Sequence, residues 1–136
     1  MGVIHESPKL LTPYIFKLDN LTARDIYTLF QELADKWGPG RMVVCLEEVH
    51  SMPKQGVASS FKFGRSFGLL EMAIIASRAR YNMVTPNKWQ THLRCRTGGD
   101  KNVSKQRSQQ LFPGFHVTNN TADAILIAEY CRQVHR

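Results

Sequence analysis

Apolar residues recur at helical spacing after Thr22: Ile26, Leu29, Phe30, Leu33 and Trp37 share one face, which predicts a helix stopped by Gly38-Pro39-Gly40. Thr22 is a suitable N-cap, and Asp25 at the third position suits the positive end of the helix dipole. Before it, residues 2–4 and 14–18 read as two short strands, with Pro8 and Pro13 between them. Residues 42–49 are apolar on both parities, the pattern of a central strand covered on both faces. The polar run 51–60 contains Pro53 and Gly56 and reads as a loop. A second helix is expected over 61–77, where Phe63, Phe67, Leu70, Ile74 and Ser77 make one stripe and Gly64 and Gly68 share a face. Residues 80–84 form a strand ended by Thr85-Pro86. A short helix over 87–94, a charged turn over 96–102, a helix over 104–111, an irregular stretch over 112–118 and a last helix over 121–134 complete the pattern. Ala124, Ile125, Ala128 and Cys131 mark the dry side of that last helix. The order ββαβαβααα argues for a single α/β layered domain, residues 1–136, with a mixed sheet.

Composition adds a partner class to this outline. The 136 residues include 43% hydrophobic positions, enough for a normal core. Lys and Arg number 18 against 11 Asp and Glu, a net charge of +7. Neutralising phosphates releases condensed counterions, so an excess of this sign favours nucleic acid as the partner. Cys45, Cys95 and Cys131 lie far apart without a CxxC pair, which argues for free thiols in a reducing, cytoplasmic compartment and against a zinc site. An uninterrupted apolar span near ~20 residues is lacking, so no membrane-spanning segment is expected, and no small-molecule cofactor motif is visible.

Chemistry concentrates where VVCLEEVHSMPKQG drives a dry strand into two carboxylates, Glu47 and Glu48. Side chains alternate along a strand, so only one of the pair enters a given site. Asp123, in NNTADAILIAEY, is expected in the first turn of the last helix, with Asn119, Asn120 and Thr121 as cap-type residues around it. A carboxylate there is favoured by the dipole whether or not it binds metal. Hard ions such as Mg²⁺ take oxygen ligands from carboxylates, and paired ions ~4 Å apart activate water for attack on phosphorus.

Taken together, LEEVHSMPKQGVASSFKFGRSFGLLEM, VTPNKWQ, KQRSQQLFP and TADAILIAEY resemble the RuvC-like Holliday-junction resolvases of the phage-type branch, within the ribonuclease H-like superfamily. The resemblance implies a mixed sheet flanked by helices, a homodimer, and symmetric cutting of four-way DNA junctions with Mg²⁺ or Mn²⁺. It assigns the metal and catalytic roles to Glu47 and Asp123. Asn120 or Asn119 stands where the family carries a further acid, and Asn120 is the neutral candidate ligand. The family's first strand, with its Asp-x-Gly motif, has no counterpart; Gly2-Val3-Ile4 reads like the second strand, and Glu6 is the nearest acid. A junction-binding protein that does not cut is therefore the alternative. A general nucleic-acid binder is a third, weaker reading.

The candidate DNA contacts are Lys54 and Gln55 after the strand, Lys62 and Arg65 at the start of the following helix, Lys88, and the basic run Lys101, Lys105 and Arg107; Arg78, Arg80, Arg94 and Arg96 are further cations of the same chain. Such residues grip phosphate and set position rather than read bases. Phe61 or Phe63 is a possible wedge at a junction, though Phe63 and Phe67 sit at core spacing. His50 reads either as a proton carrier or as a hydrogen-bonded strand-end residue.

Overall fold

The computed structural model describes residues 1–136 except 8–9, 51–53 and 136, and except the side chains of 3, 5–7 and 10–12. The chain forms two compact units, one of Leu18–Met83 and one of Met1–Lys17 with Val84–Arg136.

In the first unit, helix α1 spans Ala23–Trp37, as its periodicity predicts. Its start is a reciprocal cap. The Asp25 N–H donates to Thr22 Oγ1 at 3.2 Å, and the Thr22 N–H donates to Asp25 Oδ2 at 2.8 Å. The bond from the Thr22 hydroxyl, followed by that from its backbone, holds the Asp25 carboxyl below its ordinary pKa. Gly38, at φ 84°, ends the helix with its N–H on the Ala34 carbonyl. Ile26, Phe30, Leu33 and Ala34 are buried, and α1 packs against helix α2, Val57–Ala76, which contributes Ala73 and Ile74.

Helix α2 begins four residues earlier than its stripe suggests. Ala58, Ser59 and Ser60 contain no breaker, and Gly56 supplies the N-cap, its carbonyl accepting from the Ser60 N–H at 2.9 Å. The preceding loop is correspondingly shorter. Phe63, three turns before Ile74 on the same helix face, stays 43% exposed although it is at core spacing.

Strand β3, Val43–Glu47, runs beside β4, Arg80–Val84, with α2 as the crossover. The Arg80 N–H donates to the Met42 carbonyl, setting strand start against strand start, so the pair is parallel. All five β3 residues are half-buried. Among the described residues its sheet partner is β4, and half-burial along the whole strand is less than the full cover expected on both faces. Likewise the mixed sheet resolves into two separate two-stranded pairs, although the α/β character and the element order stand.

Tyr81 on β4 ties the pair to α2 through a 2.9 Å bond from its hydroxyl to Glu71 Oε1. Burial, then the bond to Glu71 and the charge of that carboxylate, push the phenol up from 10.0 to about 12. A folded pKa above the unfolded one contributes stability below pH 10 that is lost as pH rises through about 12. Thermal melts from pH 9 upward will therefore fall more steeply for the native chain than for Tyr81→Phe, and parallel curves would contradict this coupling.

In the second unit, β1 (Gly2–Ser7) and β2 (Leu10–Ile15) pair antiparallel, Gly2 opposite Ile15 and Ile4 opposite Pro13. Both strands extend further toward one another than the sequence pattern indicates, since ladder bonds continue where alternation gives no signal. Pro13 is tolerated because β2 is an edge strand. Helix α5, Asn119–Val134, lies on both strands. Gly2 touches it so closely that a Cβ would stand 2.3 Å from the Ala124 carbonyl oxygen, so only glycine fits this contact. Phe112, Val117, Ala122 and Ile125 form the core, with Ile4, Ile15, Leu111 and Phe115 packed around it. Helix α3 (Pro86–His92) and helix α4 (Lys101–Leu111) also rest on α5. The buried Ser108 hydroxyl donates to the Ala122 carbonyl at 3.2 Å, joining α4 to α5.

Candidate functional site

Glu47 is the last residue of β3 and is half-buried. The strand thus delivers a carboxylate to its C-terminal end, where open α/β sheets place reactive groups. His50 lies 3.9 Å from Glu48 and is 80% exposed, so the histidine beside the acid pair is a solvated neighbour of Glu48. Beyond residues 51–53, Lys54 is exposed at φ 69° and Gln55 is half-buried. Lys62 and Arg65 are exposed on α2. They occupy its second and third turns rather than its start, a correction that follows from the earlier onset of the helix at Val57.

Asp123 belongs to the other unit and is half-buried. Helix α5 starts at Asn119, two residues before the expected onset, because Thr118 rather than the Asn-Asn-Thr run is its N-cap. The Thr118 N–H donates to Thr121 Oγ1 at 3.0 Å. Asp123 therefore sits in the second turn, not the first, and the dipole argument for a carboxylate there is weaker than its sequence position suggests. Asn119 and Asn120 are exposed first-turn residues. Asn120 and Asp123, three apart, lie on one helix face. The thiol of Cys95 reports what surrounds Asp123: burial pushes it up, Arg107 opposes this, and Asp123 pushes it further up. Asp123, Arg107 and Cys95 thus share one electrostatic neighbourhood at the junction of α4 and α5. The side chain of Glu6 lies outside the described residues.

Glu47 in one unit, and Asn120 and Asp123 in the other, each offer oxygen, the donor type that hard ions take. Cys45, Cys95 and Cys131 form no disulfide.

Of the expected DNA contacts in this unit, Lys88 on α3 and Lys101 at the start of α4 are exposed, and Lys105 is half-buried. Asp100, the acid of this region, caps α4 by accepting from the Asn102 N–H at 2.9 Å. Arg107 is turned inward: its Nε donates to the Leu93 carbonyl at 2.8 Å and its guanidinium also reaches Gln110 at 3.2 Å. Arg96 likewise bonds Thr91 at 3.1 Å and Asn87. These two cations build the α3–α4 connection.

Sequence reasoning did not pick out the buried pair on α5. Glu129, 3% exposed, accepts from Arg132 Nε at 2.8 Å and from Gln133 at 2.7 Å. Their spacing on one helix was the available signal. Among the described residues, no helix is long and apolar enough to cross a membrane. No protein-family model matches this chain, and no curated protein matches it.

Proposed function

We propose that this chain is a RuvC-like protein of the ribonuclease H-like type that binds four-way DNA junctions and resolves them by divalent-metal-dependent endonucleolytic cutting. The observation that carries the DNA half is the composition of residues 84–111, where Lys88, Arg94, Arg96, Lys101, Lys105 and Arg107 face a single acid, Asp100. That acid is spent on capping α4. A helix that starts on an exposed lysine, Lys101, and has no acid of its own suits phosphate, and contacts of this kind recognise shape rather than base sequence.

The cutting half rests on Glu47 and Asp123 and on the sequence resemblance around them. In this reading the carboxylate oxygens of Glu47 in one unit and of Asp123 in the other, with the neutral oxygen of Asn120, are the donors offered to Mg²⁺ or Mn²⁺, and Lys54, Gln55, Lys62 and Arg65 grip the DNA backbone. The ion, when bound, supplies Lewis-acid stabilisation of charge on phosphorus and a more acidic water. The protein's own part is to orient the phosphate through its cations and to provide fixed negative charge for the ion. A four-way junction is two-fold symmetric, so paired nicks require two copies. Val57, Phe61, Met72 and Ile75 fall with Gly64 and Gly68 along one exposed stripe of α2. Exposed apolar stripes of this kind mark contact surfaces, and this one is assigned to a second copy.

The alternative is a junction-binding protein that does not cut. The neutral Asn119 and Asn120 at the head of α5 favour it, since fewer anionic ligands mean weaker metal binding. Incubating the protein with a labelled four-way junction and Mg²⁺ separates the two: symmetric nicks support the enzyme, tight binding without nicks supports the binder, and no binding overturns both. Lys101→Ala with Lys105→Ala will weaken junction and plain duplex alike and flatten the logarithmic salt dependence by about two units, since each phosphate contact contributes about 0.9. A loss confined to one DNA sequence would contradict backbone contact.

A further inference from the structure

We infer that Arg94 is a phosphate-contacting residue, and that Arg107, which the sequence places among the DNA contacts, is instead the residue that positions it. The inference rests on the DNA-binding reading above. Arg94 follows the C-cap of α3 at φ 56°, the left-handed position that helix ends ordinarily give to glycine. Its N–H donates to the Thr91 carbonyl at 3.2 Å, and the next N–H, of Cys95, donates to the Gln90 carbonyl at 2.8 Å. These two bonds close the helix end and impose the left-handed residue between them. On either side, Leu93 and Cys95 are 2% and 1% exposed. The turn is thus pinned by two buried neighbours and cannot relax by shifting.

Arg107 completes the pinning through its Nε bond to the Leu93 carbonyl. With that donor on the backbone and another on Gln110, its half-buried guanidinium is engaged within the protein. Arg94 is the opposite case. It is exposed, and its side chain makes no hydrogen bond or ion pair among the described residues. A branched-away, long cation at a glycine position costs stability, and helix α3, with seven residues, has only a weak dipole to offset that cost. Nothing inside the protein is gained by its length or its five donors, which suit a phosphate oxygen pair. Lys88 and Lys101, exposed in the same unit, extend the same positive surface.

The test compares Arg94→Gly, Arg94→Lys and Arg107→Met with the native protein, using a four-way junction of defined sequence as probe. Arg94→Gly will raise Tm by a few degrees, because glycine suits the turn, while weakening junction binding about tenfold and lowering the salt slope by about one. Arg94→Lys will retain most of the affinity. Arg107→Met will lower Tm, and its salt slope will drop only as far as Arg94 is misplaced. If the native protein binds and Arg94→Gly binds equally well with the same slope, the inference is overturned and the DNA reading survives. If the native protein does not bind, the DNA reading itself is overturned.

Discussion

Glu47→Gln will abolish junction cutting while leaving junction binding at least as tight. The substitution keeps the shape of the side chain and one oxygen donor at the end of β3, so the fold and the half-buried packing of the strand are undisturbed. What disappears is one unit of negative charge. In the enzyme reading that charge holds a divalent ion against its hydration, and an amide cannot replace it. Removing a charge-stabilising group from a reacting centre lowers rates by about 10²–10³, so single-turnover nicking will fall at least that far. Gel-shift affinity will not fall, because the protein has become more positive toward a polyanion. Nicking at the native rate would remove Glu47 from the chemistry, and with it the main support for the enzyme reading.

Ile125→Ala will strongly destabilise the unit that contains α5. Ile125 is 1% exposed and joins Phe112, Val117 and Ala122, with Ile4 and Ile15 of the hairpin packed against the cluster. Elements separated by more than a hundred residues of chain therefore meet at the cluster to which this side chain belongs. Gly2, pressed against the Ala124 carbonyl, shows how tightly β1 sits on the helix there, so little collapse into the vacated space is open to it. A buried Ile→Ala change with poor relaxation costs about 3–4 kcal/mol. That is a large part of a domain's ordinary 5–15 kcal/mol. Denaturant unfolding will show the midpoint falling at nearly constant m-value, and Ile125→Val will lose only about 1 kcal/mol. A loss near zero for the alanine variant would mean that the hairpin does not pack on α5 as described.

Helix α1 was legible because every local signal agreed: the cap at Thr22, the acid at Asp25, the 3.6-residue repeat and the glycine stop. Strand β4 was legible for a similar reason, being bounded by a helix end and Thr85-Pro86. The start of α2 was not, since Val57, Ala58, Ser59 and Ser60 carry neither a breaker nor a helical apolar repeat, and only the backbone bond to Gly56 marks the onset. At α5, Asn119, Asn120 and Thr121 are all good capping types, so chemistry alone does not choose among them and Thr118; the chosen cap moves Asp123 into the second turn.

By itself the sequence determined the order of elements, the α/β class and the basic character of residues 84–111, because these depend on residue type and local spacing. Tertiary structure alone decided that Arg107 donates its Nε–H to the Leu93 carbonyl while Arg94 is left exposed. A cation's sequence position does not say whether its guanidinium meets a carbonyl or solvent. That depends on which helices pack together, and packing is a property of contacts between residues distant along the chain.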